Sequence, residues 1–207
     1  MVEVHKMEQQ TDPWYEIKVL NPFSSSNAQA IGNQGKGLET LVIETLSSKY
    51  SKQKKEHFGN KHTERGNRRE PIASSVYKLM TGNSLETVGF ITNSKYPMSG
   101  ASTDSLVNKD GVLEIKCFDD KKHFQIIIEY NQRGTFKIES GYIWQVQMEL
   151  LITERDWCDF VVYNPNYDDE IFIQRVYPDE EMQQKIKDGI IKGVKMYTEM
   201  EKEYLNK

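Results

Sequence analysis

The fold of this chain is decided by residues 100–117, which read GASTDSLVNKDGVLEIKC. Two β-like runs flank the turn residues NKDG at 108–111, so the stretch predicts a β-hairpin. A hairpin brings Asp104, near the end of the first strand, beside Glu114 on the returning strand. Side chains alternate between the two faces of a strand, which places Glu114 and Lys116 together on one face. The sequence therefore predicts a local cluster of two carboxylates and one ammonium group.

Such a cluster suits metal-dependent hydrolysis of a phosphodiester. Two neighbouring carboxylates repel each other unless a cation joins them, and hard oxygen ligands favour Mg²⁺ or Mn²⁺. A metal ion held by Asp104 and Glu114 would polarise a scissile phosphate, while Lys116 would orient or deprotonate the attacking water. The bare spacing D-x9-E-x-K also arises where a Glu and a Lys simply face solvent on a strand. Spacing alone leaves both interpretations open.

Hydrophobic periodicity predicts the elements on either side of the hairpin. Helices are expected from the cap signal at 24–27 to about residue 46, at 63–80, at 141–153, and from the cap signal at 177–181 to about residue 204. Strands are expected at 87–93, 100–107, 112–117, 158–163 and 170–176, with a further apolar run at 123–130. The polar residues 48–61 predict a loop. This order indicates an α/β (α+β) fold in which helices flank one central mixed β-sheet.

Length and composition predict one soluble domain. Hydrophobic residues make up 37% of the 207 residues, which is enough for one sizeable core. No run approaches the roughly 18 apolar residues of a membrane helix, and the first residues lack the apolar stretch of a signal peptide. We therefore expect a cytoplasmic protein without membrane contact. Cys117 and Cys158 have neither disulfide nor zinc-site spacing and are expected to serve packing.

Charge is distributed unevenly, although the formal net charge is only −4. Residues 49–69 contain eight basic and two acidic side chains, a net of +6. Residues 139–181 contain eleven acidic and two basic side chains, a net of −9. The basic segment is either a solvated face or a contact for a polyanion. The acidic segment either repels DNA from the outer surface or contacts a partner.

Four motif blocks occur in the order of a known nuclease family. Residues 66–77 resemble its G-x-x-x-E helix, residues 102–106 its S-x-D-G-L strand, residues 113–117 its L-E-[LI]-K-C strand and residues 142–147 its Y-x-x-Q-V-Q helix. Residues 160–165, FVVYNP, resemble its closing strand. The chain thus resembles the lambda-type phage exonucleases, also called YqaJ-type viral recombinases, of the PD-(D/E)xK nuclease superfamily.

The resemblance implies a restriction-endonuclease-like core and a Mg²⁺ cofactor that Mn²⁺ can replace. It assigns metal ligation to Glu70, Asp104, Glu114 and the carbonyl of Ile115. The catalytic set that it implies is Glu70, Asp104, Glu114, Lys116, Tyr142 and Gln145. Tyr142 and Gln145 share a helix face, where they could orient the attacking water and the phosphate.

The N-terminal part is similar to the family element that binds the 5′-phosphate of the degraded strand. Trp14 and Lys18 resemble its W-x3-R motif, and Ser24 and Ser26 its T-x-S motif. A helix N-terminus behind the serines would suit a phosphate. The serines equally fit simple helix caps.

Three arginines ahead of the acidic cluster complete the expected DNA contacts. Arg65, Arg68 and Arg69 would bind the backbone without reading sequence. Two positions depart from the family pattern: Ser105 stands where Gly is usual, and Phe118 where Pro is common. Neither replaces a proposed ligand.

The resemblance implies a Mg²⁺-dependent double-stranded DNA exonuclease that digests 5′-to-3′ and leaves 3′ overhangs for phage-type recombination. It also implies DNA ends as substrate, a single-strand annealing protein as partner, a homotrimer, and a phage or prophage origin in a bacterial cytoplasm. We expect one nuclease domain, with an N-terminal DNA-binding part at 1–62, a catalytic core at 63–176 and a C-terminal helix at 177–207. The alternatives are a structure-specific or restriction-like endonuclease and a non-catalytic DNA-binding module.

Overall fold

The computed structural model of the chain describes residues 1–53 and 61–206. The α-helices of these ranges are α1 Asp12–Leu20, α2 Ala28–Asn33, α3 Lys36–Tyr50, α4 Lys61–Thr81, α5 Asp120–Arg133, α6 Ser140–Thr153 and α7 Glu180–Leu205. The strands are β1 Val2–His5, β2 Phe23–Ser24, β3 Leu85–Glu86, β4 Phe90–Asn93, β5 Ser99–Ala101, β6 Ser105–Val107, β7 Gly111–Lys116, β8 Trp157–Tyr163 and β9 Ile171–Val176. The predicted α/β class is confirmed. Half of the predicted loop at 48–61, residues 54–60, lies outside the described residues. Of the other half, residues 48–50 belong to α3 and Lys61 begins α4, so the loop is shorter than predicted.

The strands form two mixed sheets, ordered β1-β4-β5-β2 and β3-β6-β7-β8-β9. The prediction of one central sheet is therefore wrong. The run at 100–107 splits, because β5 pairs with β4 whereas β6 pairs with β7. Between them, the Ser102 N–H donates to Ser25 Oγ at 3.4 Å instead of to a strand partner. Apolar alternation identifies a strand but does not choose its partner.

The predicted hairpin is confirmed as the β6–β7 pair. Ser105 lies opposite Leu113 and Val107 opposite Gly111. One step further along the same register places Asp104 opposite Glu114. β7 also pairs in parallel with β8, so it lies in the middle of its sheet. The hairpin is therefore held on both sides.

Each face of β7 meets a different hydrophobic cluster. Ala73 and Tyr77 of α4 pack with Leu113 and Ile115 on one face. Residues of α6 belong to the larger core on the other face. This arrangement confirms the predicted alternation along β7, and it leaves Glu114 and Lys116 on the side of α6.

Three predictions about helices and strands need correction. The helix expected over 24–46 is a short 3₁₀ turn followed by α2 and α3, because Gln34 adopts the left-handed conformation with φ 54° between them. Ser24 and Asn27 make no side-chain cap hydrogen bond. The strand expected at 87–93 is confined to Phe90–Asn93. The apolar run at 123–130 lies within α5, which buries His123, Ile126 and Ile127 at helical spacing.

The long C-terminal helix is confirmed as α7, which packs against α2 and α3. Two glycines of α7 allow close packing: a Cβ at Gly189 would lie 2.0 Å from the Ile31 carbonyl oxygen of α2, and one at Gly193 would lie 2.6 Å from the Phe23 ring of β2 and 3.2 Å from Leu38 of α3. None of the helices in the described ranges is long and apolar enough to cross a bilayer.

Candidate active site

Three of the predicted acidic residues meet where β6 begins and β7 ends. Asp104 directly precedes β6, and its Oδ2 accepts a hydrogen bond from the Ile115 N–H at 2.5 Å. Glu114 lies on β7 and is only 2% exposed. Glu70 reaches the group from α4, where its carboxyl group interacts with those of Asp104 and Glu114. The hairpin and α4 therefore gather three carboxylates that are distant in sequence.

The spacing of the family motif on α4 explains how Glu70 reaches the site. Gly66, Glu70, Ala73 and Tyr77 follow one another at intervals of three or four residues, so they share one helix face. Ala73 and Tyr77 are fully buried against the sheet. Their packing orients this face of α4, and Glu70, one turn earlier on the same face, is thereby brought to Asp104.

Lys116 and Tyr142 join the cluster on the α6 side. The Lys116 ammonium forms an ion pair with Glu114 Oε1. The same nitrogen lies 5.0 Å from the centre of the Tyr142 ring. The structure thus brings together the predicted carboxylates, the predicted lysine and the predicted tyrosine.

Gln145 connects α6 to the strand residues. Its Nε2 donates to Glu114 Oε1 at 2.7 Å and to Glu149 Oε1 at 2.9 Å. Gln147 faces away from the cluster, because its Nε2 donates to the Tyr177 carbonyl at 2.9 Å. Its Oε1 accepts from the Asp179 N–H at 2.7 Å.

Glu149 is a residue of the cluster that sequence reasoning missed. It is fully buried, and its Oε2 has no hydrogen-bond partner. The signal for it was present: Glu149 follows Gln145 by four residues in an otherwise apolar helix, so both belong to one face. By charge alone, Glu149 is only one of the eleven acidic residues in the segment 139–181.

The electrostatics of the cluster are dominated by burial. Burial, followed by the charge of Glu114, raises the pKa of Asp104 and of Glu149 well above the usual range, and the same causes raise the pKa of Glu70. Burial opposes the charge on Lys116, but the negative charges of Glu114 and Asp104 outweigh it, so the pKa of Lys116 is raised. Burial and crowding therefore disfavour the ionised form of these carboxyl groups, whereas the ammonium form of Lys116 is favoured.

The side chains of the described ranges contain no ready-made group of three or more Asp, Glu, His or Cys residues arranged around a metal position. The donor set nevertheless suits a hard cation. Glu114 Oε2 is buried without a hydrogen bond. A divalent ion beside it would offset the repulsion between Glu114 and the carboxyl groups of Glu70 and Asp104. The residues present therefore fit Mg²⁺.

The predicted phosphate-binding residues lie in the N-terminal part, which contacts the segment just before Asp104. The Oγ atoms of Ser24 and Ser26 are 3.0 Å apart, and Ser24 is buried. Lys18 lies with its ammonium 4.2 Å from the centre of the Trp14 ring, and burial lowers the pKa of Lys18. The Trp14 indole donates to Ser102 Oγ at 3.2 Å, two residues before Asp104.

The three predicted arginines differ in their surroundings. The Arg65 Nε donates to the Cys117 carbonyl at 3.0 Å. The Arg69 Nη1 donates to Asn164 Oδ1 at 3.1 Å. Arg68 is exposed. Arg65 and Arg69 thus connect α4 to the segments after β7 and β8, beside Glu70, whereas Arg68 faces solvent.

Comparisons with known proteins agree with the motif blocks. A profile of the YqaJ-like viral recombinase domain matches residues 13–156. The chain belongs to this family. The matched range contains Glu70, Asp104, Glu114 and Lys116 together with the α6 residues. No curated protein gives a significant match.

Solved structures extend the likeness of this recombinase-family chain over nearly its whole length. An alkaline exonuclease, LHK-Exo from Laribacter hongkongensis, is 28% identical with a TM-score of 0.80 and covers 95% of this chain and 96% of its own. The same protein in complex with dAMP gives a TM-score of 0.79 at 28% identity, with coverages of 94% and 96%. A phage-related exonuclease from Haemophilus somnus 129PT shares the fold, with a TM-score of 0.62 at 17% identity and coverages of 87% and 95%.

Proposed function

We propose that this chain is a Mg²⁺-dependent exonuclease that acts on the ends of double-stranded DNA and has a PD-(D/E)xK, restriction-endonuclease-like core. The observation that carries the proposal is the buried cluster of Glu70, Asp104, Glu114 and Lys116, which brings oxygen ligands and a fixed positive charge to one place. The similar alkaline exonuclease LHK-Exo supports the same class of reaction.

Glu70, Asp104, Glu114 and the Ile115 carbonyl would hold Mg²⁺, with Mn²⁺ as a substitute. When bound, the ion would lower the pKa of a coordinated water and polarise the scissile phosphate. Lys116 retains its proton beside Glu114, so its role is to stabilise negative charge on the phosphate rather than to remove a proton from water. Gln145 and Tyr142 orient the water and the phosphate from α6.

The DNA end would be held by the N-terminal part. Ser24 and Ser26 offer two hydroxyl groups for a 5′-phosphate, Lys18 offers a positive charge, and Arg68 offers an exposed backbone contact. The dAMP complex of the similar exonuclease supports a nucleotide-binding site in this fold. On this basis we propose digestion in the 5′-to-3′ direction, which leaves a 3′ single strand for recombination.

The remaining proposals concern organisation. Residues 1–62, 63–176 and 177–207 would act as the DNA-binding part, the catalytic core and the C-terminal helix of one nuclease domain. A homotrimer would enclose the duplex, and a single-strand annealing protein would receive the 3′ strand. The site of action would be the cytoplasm of a bacterial host cell.

Digestion of end-labelled linear duplex DNA with Mg²⁺ tests the function. Asp104→Ala and Lys116→Ala should each lower the rate at least about 100-fold. Asp110→Ala and Lys109→Ala make the same chemical changes in the exposed hairpin turn and should leave the rate unchanged. Folded site variants that digest DNA as fast as the wild type would refute the proposal.

Two further substrates separate the alternatives. Covalently closed circular DNA should stay intact, and its cleavage would indicate an endonuclease. A 5′-phosphorylated end should be digested faster than a 5′-hydroxyl end if Ser24 and Ser26 bind the phosphate. A calorimetric titration without Mn²⁺ binding would favour the non-catalytic DNA-binding module.

A further inference from the structure

We propose that Glu149 is a positioning residue that fixes the side-chain amide of Gln145 for the reaction, a proposal that rests on the nuclease function above. Glu149 touches neither Lys116 nor Asp104 through a hydrogen bond in the described part of the chain. Its direct contact with the site is the 2.9 Å hydrogen bond from the Gln145 Nε2 to its Oε1. Its effect on the chemistry would therefore pass through Gln145.

The two hydrogen bonds of the Gln145 amide determine which way the amide faces. An amide nitrogen carries two hydrogens, and both are used, one by Glu114 Oε1 at 2.7 Å and one by Glu149 Oε1. A reversed amide would place its oxygen against Glu114 Oε1, the carboxylate oxygen that forms the ion pair with Lys116. The nitrogen is thus held between the carboxylates, and the amide oxygen is the part of Gln145 left to accept a hydrogen bond from a water molecule.

Glu149 is well suited to fix the Gln145 amide because its own position is restrained by packing. It lies one turn after Gln145 on α6, and no part of it is exposed. The helix around it is anchored by apolar neighbours of the main core, including Met148 and Leu150. Its backbone carbonyl accepts a hydrogen bond from Thr153 Oγ1 at 2.7 Å. The acceptor therefore has little freedom, and it transfers this rigidity to Gln145.

The position of Glu149 also has a cost that a purely structural role does not explain. Its second oxygen is buried without a hydrogen bond, close to the buried Glu114. An unpaired buried carboxylate destabilises a fold, and an apolar side chain would pack there without this cost. The need to fix the Gln145 amide explains why a hydrogen-bond acceptor occupies this position.

Removing Glu149 would free one amide hydrogen and the torsions of the Gln145 side chain. Glu149→Ala should then lower kcat about 10- to 100-fold, as the loss of a supporting hydrogen bond around a reactive site commonly does, with little change in KM for DNA. Glu149→Gln keeps a carbonyl oxygen that can accept from Gln145, so its kcat should stay close to that of the wild type. Gln145→Ala should lower kcat by a similar factor to Glu149→Ala.

The decisive experiment is a double-mutant cycle of kcat on linear duplex DNA. In the Gln145→Ala background, Glu149→Ala should cause no further loss, because the amide that it positions is gone. Gln147→Ala provides the matched control: Gln147 is a buried glutamine of the same helix with two hydrogen bonds, and its loss should leave the kcat of the folded enzyme unchanged.

Three results would overturn the proposal. The first is a Glu149→Gln enzyme as impaired as Glu149→Ala, which would make the negative charge, not the acceptor, the important feature. The second is a double variant whose kcat is lowered by the product of the two single-variant factors. The third is a Glu149→Ala enzyme with the kcat of the wild type. An inactive wild type would instead refute the proposed function. In that case, a double-mutant cycle on the free energy of unfolding in urea, with the metal-free protein, would still measure the coupling of Glu149 with Gln145. If the two substitutions changed the free energy of unfolding additively, the contact between Glu149 and Gln145 would be refuted.

Discussion

Replacing Gly189 by alanine should destabilise the protein, although helix propensity alone predicts the opposite. Alanine in a helix interior is favoured over glycine by about 1 kcal/mol. At Gly189, however, the new Cβ would lie 2.0 Å from the Ile31 carbonyl oxygen and 2.7 Å from its carbon. Non-bonded carbon atoms prefer separations of about 3.5–4.0 Å, so α2 and α7 would have to move apart by roughly 1 Å or more.

The expected loss of stability is the difference between the cost of overpacking and the gain in helix propensity. Overpacking of a rigid contact costs about 1–3 kcal/mol, and the upper end applies here because the obstructing atoms are backbone. After subtraction of the helix-propensity gain, the net loss is about 2 kcal/mol. Separation of the helices would also weaken the hydrogen bond from Gln34 Nε2 to the Lys185 carbonyl, now 3.2 Å.

Thermal unfolding followed by far-ultraviolet circular dichroism measures the effect. At this chain length, about 2 kcal/mol corresponds to a Tm lowered by roughly 4–8 °C. Gly66→Ala is the matched control, because a Cβ at Gly66, also inside a helix, meets nothing within 4 Å. It should raise the Tm by roughly 2–4 °C. A Gly189→Ala protein with a Tm equal to or above that of the wild type would refute the packing argument.

Three further predictions concern the ionisable and thiol groups. The folded-state pKa of Glu149 is raised, so this side chain destabilises the fold increasingly as pH rises above its ordinary pKa. Glu149→Gln should therefore raise the free energy of unfolding, measured in urea, more at pH 8 than at pH 4. A larger increase at pH 4 would contradict the argument. Because the pKa values of Glu70 and Asp104 are raised, Mg²⁺ binding should release protons, which calorimetry in two buffers of different ionisation enthalpy would detect; equal heats would speak against it. Burial raises the pKa of the Cys117 thiol to about 12, so iodoacetamide should modify native protein slowly at pH 8, and rapid modification of Cys117 would show that it is more accessible.

Local sequence patterns were sufficient for the hairpin and for the two helices beside it. Turn residues at 108–111 specify a short connection, and strict alternation then puts Glu114 and Lys116 on one face. The helical interval between Glu70, Ala73 and Tyr77 likewise depends only on neighbours along the chain. These features depend on residues close together in the chain, so they can be predicted from the sequence.

The pairing of strands and the burial of charges were decided by the tertiary structure. The run at 100–107 divides between two sheets because β5 pairs with β4 whereas β6 pairs with β7. Glu149 and Asp159 belong to the acidic segment, yet both are buried: the former contacts Gln145, and the latter pairs with Arg175. A count of charges treats every side chain as exposed. Only packing removes some of them from water, and in a low-dielectric interior a charge acts on its immediate neighbours far more strongly than at the surface.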